Sequence, residues 1–376
     1  MSRKYSNILD YIEWRGDLPF QKEPFNETDN LILSELAYTN MNDLISYGEM
    51  ITIKELSRHY NEAGYDQSYI EYDPKPVLLA AADSVRFGTV GVSHYSNIID
   101  DENHVQFSAV TFHLSDTVIF IAFRGTDSTI TGWREDFCMT VKAPAPAQNM
   151  AVRYMELPHI RDASKIICGG HSKGGNLAVY SAAFCDPQIR DRIVRVYSND
   201  GPGFRSEISD SEEMQDIIRK TVHIVPETGI FGLLLESAED IRVIRCDGTY
   251  FESHNPYTWA VRRNGFVEAD KLSDGSVFMI DVFNKWLESI SDEQRMDFID
   301  TVFDSLSAAG ITRTAQIRKN PILTATSVIK AFSKKDKDMQ ALVAELLGRL
   351  AKTGTDAAWQ ELTGMLFNEK KEAQND

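Results

Sequence analysis

Lys165-Ile166-Ile167-Cys168-Gly169-Gly170-His171-Ser172-Lys173-Gly174-Gly175-Asn176-Leu177-Ala178 is the stretch that decides the fold. Ile166 to Cys168 reads as a short buried strand, and Asn176 to Phe184 (NLAVYSAAF) has the apolar spacing of a buried helix. Between them, Gly170-His171-Ser172-Lys173-Gly174 fits G-x-S-x-G, a turn that takes the chain straight from strand into helix. Such a turn strains the backbone of its central residue, and neighbouring β-carbons would collide, so glycine is needed on both sides. The Ser172 hydroxyl is lifted above the sheet edge. The Lys173 amide, at the start of the new helix, points toward any oxyanion formed there. A glycine-rich turn with a capping serine is the plain alternative; the flanking strand and helix favour a nucleophile.

The strands around this turn read as a parallel sheet. Val105 to Phe112 alternates, and Thr117 to Phe123 (TVIFIAF) is a continuous apolar run, the pattern of a strand buried on both faces. It ends in Arg124-Gly125-Thr126-Asp127-Ser128-Thr129, a polar loop at a strand's carboxyl end, where open α/β sheets place their sites. Gln148 to Glu156 is the expected crossover helix. Further strands are expected at residues 193–198, 221–226 and 241–245. The first of these ends in Asn199-Asp200-Gly201-Pro202-Gly203-Phe204, and a histidine, His254, stands in a loop beyond the last. Two helices expected near residues 30–37 and 53–59 carry no legible chemistry.

Phe123-Arg124-Gly125-Thr126, then Trp133 and Asp136, then GHSKG about 45 residues on, resembles the class-3 lipase family. The similarity is greatest to a bacterial branch marked by FRGTD, GHSKGGNLA and NDGPGF, and covers roughly residues 25 to 265. It implies an α/β-hydrolase fold, with a mostly parallel central sheet flanked by helices. It also implies an oxyanion hole formed by Thr126 and the Lys173 amide. Residues 128–137, carrying Trp133, correspond to a segment that often forms a lid in secreted relatives. Trp133 is read equally as a substrate contact or as core.

A serine needs a base to take its proton and a third group to hold that base, in the chain order Ser, acid, His for this fold. Only His223 and His254 follow Ser172. His223 sits in an apolar strand pattern, so His254 is the expected base. The resemblance would place the acid at position 223, where this chain has histidine. Asp200, at the tip of the strand after the elbow unit, is therefore preferred over Glu227 and Asp247. Ile230, Phe231 and Leu233, in a glycine-punctuated apolar loop, are candidate acyl contacts or simple packing. The His171 ring is expected to point into the sheet. The Lys173 side chain is read as solvent-exposed, or as a cation at the mouth favouring anionic esters.

The 376 residues suffice for one large α/β domain and an appendage. We read residues 1–290 as the hydrolase domain and 291–376 as a helical extension, opened by a capping box at Ser291 and Gln294. Its apolar stripe, Met296, Ile299, Val302, Phe303 and Leu306, suits packing on the body or self-association. Charge argues against nucleic acid as a partner, since 39 basic against 56 acidic residues give −17. No apolar leader or integral membrane segment is legible, which makes a cytoplasmic protein the default expectation. Cys138, Cys168, Cys185 and Cys246 form no C-x-x-C pair, and neither metal nor cofactor is expected. The sequence thus points to a serine hydrolase of carboxylic, lipid or acyl esters working through an acyl-enzyme. A thioesterase or peptidase could use the same machinery, and a non-catalytic binding protein could retain the scaffold.

Overall fold

The computed structural model describes residues 4–341 apart from 47, 64–71, 101–104, 128, 140, 142–143, 236–240, 251, 314–315, 318–319, 336 and 338. Eight strands form one sheet in sequential order: β1 (Met50–Thr52), β2 (Gly91–Asp100), β3 (Val105–His113), β4 (Val118–Phe123), β5 (Lys165–His171), β6 (Ile193–Asn199), β7 (Thr221–Pro226) and β8 (Ile241–Ile244). β1 to β4 pair antiparallel, and β4 to β8 pair parallel. With helices on both faces, this is an α/β-hydrolase fold.

β4 shows why its sequence is apolar throughout. Ile119, Ile121 and Phe123 enter one core with the helices Pro146–Met155 and Lys173–Phe184. Phe120 and Ala122 enter the opposite core with the helices Ile8–Arg15 and Glu27–Leu36. A strand covered on both sides cannot alternate. β2 was not legible, because its pairing with β3 is irregular between Ser93 and Ser96 and His94 has φ 51°, which breaks the period-2 pattern.

Past the sheet, the helices Asp274–Glu288, Asp292–Ala308 and Pro321–Phe332 follow. The Ser291–Gln294 capping box forms. Ile299, Phe303 and Leu306 pack with Ile130 of the helix Ile130–Cys138, so the expected stripe is covered by the chain's own body. Arg134 on that helix pairs with Asp300 and Asp304, and the Ile130 amide donates to the Thr312 carbonyl. Residues 342–376, including the helices expected to about Phe367, lie outside the described residues. Cys168, Cys185 and Cys246 are buried free thiols, and Cys138 is half-buried.

Away from the elbow, the His94 ring stacks on His159 with centroids 3.6 Å apart. The His159 Nε2 lies 2.9 Å from the Thr111 hydroxyl, and His113 Nε2 lies 2.8 Å from the Ser93 hydroxyl. Burial, reinforced by repulsion from His94 and His113, pushes His159 down to about 3. Burial also pushes His223 on β7 down to about 4. Both rings are neutral in the fold, whereas in the unfolded chain they take a proton below about 6.5. The unfolded state therefore binds more protons across this window. Their contribution to stability is full above pH 6.5 and lost progressively as pH falls toward 4 and 3. Urea midpoints measured from pH 7 to 4 are expected to show a shallower acid decline in His159→Gln than in wild type, by the slope of one proton. An unaltered slope would show that His159 already titrates normally in the fold.

Candidate active site

Ser172 has φ 58° and ψ −133°, a backbone region that side-chain-bearing residues rarely adopt. The neighbouring glycines make this tolerable. A Cβ on Gly170 would lie 2.3 Å from the Gly174 carbonyl carbon, and one on Gly174 would lie 2.1 Å from the Phe123 oxygen. The elbow is tied to the segment after β6 by backbone and side chain. The Ser172 amide donates to the Asn199 carbonyl (2.9 Å), and Asn199 Nδ2 donates to the Gly170 carbonyl (3.0 Å). Asn176 Nδ2 donates to the carbonyls of Pro202 and Gly203. The GHSKGGN and NDGPG stretches are thus one hydrogen-bonded unit.

That unit presents Asp200 to His254. Asp200 Oδ2 lies 2.5 Å from His254 Nδ1, and Asp200 Oδ1 accepts the Gly232 amide at 2.8 Å. Asp200 is fully buried and His254, in the 3₁₀ turn Glu252–His254, is nearly so. The competing acids are engaged elsewhere: Asp247 accepts the amides of Lys4 and Tyr5, and Glu227 pairs with Arg245. His171, expected to point into the sheet, instead packs against His254 with ring centroids 4.5 Å apart. Its Nε2 lies 2.9 Å from the His254 carbonyl, which fixes Nε2 as the donor and leaves Nδ1 an acceptor. Burial, with repulsion from His254, holds His171 well below the usual histidine range, so its ring is neutral. On the Nδ1 side stand the Tyr38 hydroxyl at 3.4 Å and Glu35 Oε1 at 3.7 Å. Burial pushes the Glu35 carboxyl up to about 8. Glu35 and Tyr38 come from the helix Glu27–Leu36 and its exit, a stretch with no chemical signal in its sequence.

The loop after β4 brings Thr126 to the cavity that Ser172 and His254 also line. Its hydroxyl donates to Asp136 Oδ2. Lys173 begins the elbow helix, so its amide is among the N–H groups without an intrahelical acceptor. Its side chain corrects the reading from sequence: it is neither exposed nor at the mouth. Lys173 Nζ is buried, 2.8 Å from Glu135 Oε2, 3.4 Å from Asp136 Oδ1 and 3.1 Å from the Gln106 carbonyl. The nearby carboxylates hold the ammonium charged against burial. Burial pushes Asp136 up to about 6, with Lys173 pulling the other way. A cation satisfied in this way offers no charge to an anionic substrate.

Two cavities meet at Ser172. The first is walled by Trp133 and Phe137, by Phe231, Leu234 and Leu235, and by Phe283, Trp286, Leu287, Phe298 and Ile299 of the C-terminal helices. Of the expected acyl contacts, Trp133 and Phe231 line it, while Ile230 and Leu233 do not. The 3₁₀ turn Phe231–Leu233 buries Leu233 and turns Leu234 and Leu235 to the cavity instead. The helices Asp274–Glu288 and Asp292–Ala308, which the sequence offered only as packing faces, supply one whole wall. The second, much smaller cavity is bounded by Glu35, Tyr38, Thr126, Trp133, Ser172 and His254, among others.

A strained serine at a strand-to-helix elbow, with a carboxylate-bound histidine opening onto the same cavity, defines the site of an α/β-hydrolase-fold protein. Within that class the chain belongs to the Mbeg1-like family, whose pattern matches residues 81–304. Among solved structures it is similar to the Rhizomucor miehei lipase in its native propeptide complex, at 15% identity and TM-score 0.36, over 60% of this chain and 74% of that one. It is also similar to M37 lipase, at 14% identity and TM-score 0.31, over 56% and 70% of the respective chains. No curated protein matches significantly. Among the described residues, no helix is long and apolar enough to cross a membrane, and no group of three or more His, Cys, Asp or Glu side chains could hold a metal ion.

The buried Lys173 cluster yields a stability prediction. Lys173→Met leaves Glu135 and Asp136 without their counter-charge, and removing one partner of a buried pair costs about 3–5 kcal/mol. The double variant Lys173→Met/Glu135→Met is expected to recover part of that loss in chemical denaturation. Equal loss in the single and double variants would mean that Lys173 and Glu135 are not energetically coupled.

Proposed function

We propose that this protein is a serine hydrolase of carboxylic esters, acting on lipid or other acyl esters. The observation that carries the reading is the Asp200–His254 contact of 2.5 Å, placed on the cavity that Ser172 lines. In the proposed cycle Ser172 Oγ attacks the ester carbonyl while His254 Nε2 takes its proton, and Asp200 holds the other ring nitrogen and stabilises the imidazolium. Thr126 and the Lys173 amide stabilise the tetrahedral oxyanion. The C–O bond to the alcohol breaks as His254 returns the proton to the leaving oxygen. Water, deprotonated by His254, then releases the acid from the acyl-enzyme. The apolar cavity takes the acyl chain.

The resemblance of FRGT and GHSKG to class-3 lipases supports the same assignment and favours esters over amides or thioesters. Residues 1–290 would form the catalytic body, and residues 291–376 a helical extension whose first helix completes the acyl cavity. The unpaired buried thiols suit a reducing, cytoplasmic setting.

Hydrolysis of p-nitrophenyl esters is expected to fall on the order of 10⁶-fold in Ser172→Ala. Asp200→Asn should lose about 10⁴-fold, because the histidine tautomer is no longer held. Asp247→Asn and Glu227→Gln should stay within a few-fold of wild type. Ordinary turnover in Ser172→Ala, or no fluorophosphonate labelling of wild-type Ser172, would rule out the mechanism. Wild-type rates in Asp200→Asn with a collapse in Asp247→Asn would move the acid.

A further inference from the structure

The proposed cycle uses Thr126 and leaves Arg124, two residues earlier in the same stretch, unexplained. Arg124 is 1% exposed, and its Nε, Nη1 and Nη2 all lack a hydrogen-bond partner among the described residues. Arg86, equally buried, is the contrast. It reaches both carboxylate oxygens of Asp29 and donates to the carbonyls of Leu18, Glu23 and Pro24. The fold thus gives one buried guanidinium a full set of acceptors and the other none. Nor are the buried carboxylates of this region free to serve. Glu135 and Asp136 face Lys173 Nζ, and burial pushes the Glu35 carboxyl up to about 8, which leaves it neutral at pH 7.

Arg124 does not stand alone. Its amide donates to the Ser108 carbonyl on β3 (2.9 Å), and Ser108 stands opposite Asn97 on β2. Residues opposite one another on adjacent antiparallel strands present their side chains to the same face. The three therefore form a row across β2, β3 and β4, on the face that also carries Val110 and Ala122. Ser108 Oγ and Asn97 Oδ1 are buried without a partner as well. An amide turns either its oxygen or its N–H₂ toward a neighbour by rotation, so Asn97 is able to donate here. We infer that this row binds one monovalent anion of chloride type, with Arg124 as the counter-charge and the Ser108 hydroxyl as a second donor.

A buried lysine or histidine escapes its burial by losing a proton, but a guanidinium does not. Its charge must be matched, and a bound anion does so where the protein supplies no carboxylate. One charge calls for one charge; a doubly charged phosphate or sulfate would itself be left partly uncompensated. The positive field of Arg124 is felt nearby. Burial pushes the Tyr38 phenol up, and Arg124 acts against that rise. Burial also works against the Lys173 ammonium, and Arg124 adds to it while Asp136 and Glu135 oppose both. Because Gly125 and Thr126 follow Arg124 directly, the anion would anchor the root of that loop. The inference does not depend on ester hydrolysis.

The test follows the melting temperature of the full chain as chloride replaces gluconate at constant ionic strength. A ligand that binds only the folded state raises stability in a saturable way. The wild type is expected to gain roughly 2–4 °C at saturating chloride. Arg124→Met should show no saturable gain. The reading is the difference between wild type and variant, since salts also act on any protein surface. If Arg124→Met does not fold, Ser108→Ala should raise the half-saturating chloride concentration by roughly 10-fold. Crystals soaked in bromide should show an anomalous peak within hydrogen-bond distance of the Arg124 guanidinium. A wild type without a saturable response, or an equal response in Arg124→Met or, failing that, an unchanged half-saturation in Ser108→Ala, would overturn the inference. So would bromide absent from Arg124, or a variant-sensitive response to sulfate larger than that to chloride.

Discussion

A serine at φ 58° can be held only where the chain on either side gives up its side chains, and that requirement orders the catalytic half of the molecule. Gly170 and Gly174 approach each other and the Phe123 carbonyl so closely that no β-carbon fits. Phe123 is the last residue of β4 and lies opposite Gly170 in the parallel pair. The loop from Arg124 to Thr126 must therefore leave the sheet beside the elbow. On the other flank, His171 pairs with Asn199, so Asp200 leaves β6 level with Ser172. Asp200 itself has φ 50°, a second strained position, and the Gly232 amide on its carboxylate helps to hold it. The loop from Arg124 to Thr126, Ser172 and Asp200 are side by side because three adjacent parallel strands end at the same level.

The buried ion pairing around Lys173 fixes what stands over this edge. Glu135 and Asp136 belong to the helix Ile130–Cys138, which occupies the place of the lid segment in the class-3 resemblance. Here its inner face is held by an ammonium from the elbow helix. Its outer face is held by Arg134 to Asp300 and Asp304, and its first turn by the Thr312 carbonyl. Burying three charges is expensive, and only close mutual contact offsets it. The same closeness makes the helix a wall between the elbow and the C-terminal helices. Asp136 serves two ends of this arrangement, since it accepts the Thr126 hydroxyl and also faces Lys173.

The parallel half of the sheet was readable because its signals are local. Apolar runs, glycine turns and strand-end motifs each lie within a dozen residues. His254 stood out by its position after the last strand and Asp200 by its place after the elbow unit, and the two side chains are in contact. What escaped depends on distance in sequence. Lys173 looked like a surface cation because its partner Glu135 is 38 residues away and nothing near it in sequence announces a buried pair. Glu35 lies in a helix whose sequence carries no legible chemistry, and only the packing of that helix against β5 brings it to the His171 ring. The Ile230 to Leu235 segment was recognised as apolar, but a 3₁₀ turn has three residues per turn, and it rotates a different pair of leucines toward the cavity.

The apolar cavity beside Ser172 is held open by the way its walls are anchored. Its walls come from three separate regions, and each is anchored by polar contacts at its rim. Arg205 bridges the Val141 carbonyl and Asp292, and Arg295 bridges the Leu287 carbonyl and Asp292. Asn284 joins the turn by donating to Leu233 and accepting from Leu235. The aromatic faces also support one another across the walls: Trp133 meets Phe231 edge-on at 5.7 Å, and Trp286 meets Phe298 edge-on at 4.8 Å. Anchors at the rim and self-supporting rings in the wall mean that the helices need not collapse inward to be stable. On the proposed function, an acyl chain placed there would gain the full burial of its methylenes, about 0.8 kcal/mol each, without first breaking the contacts that hold these walls in place.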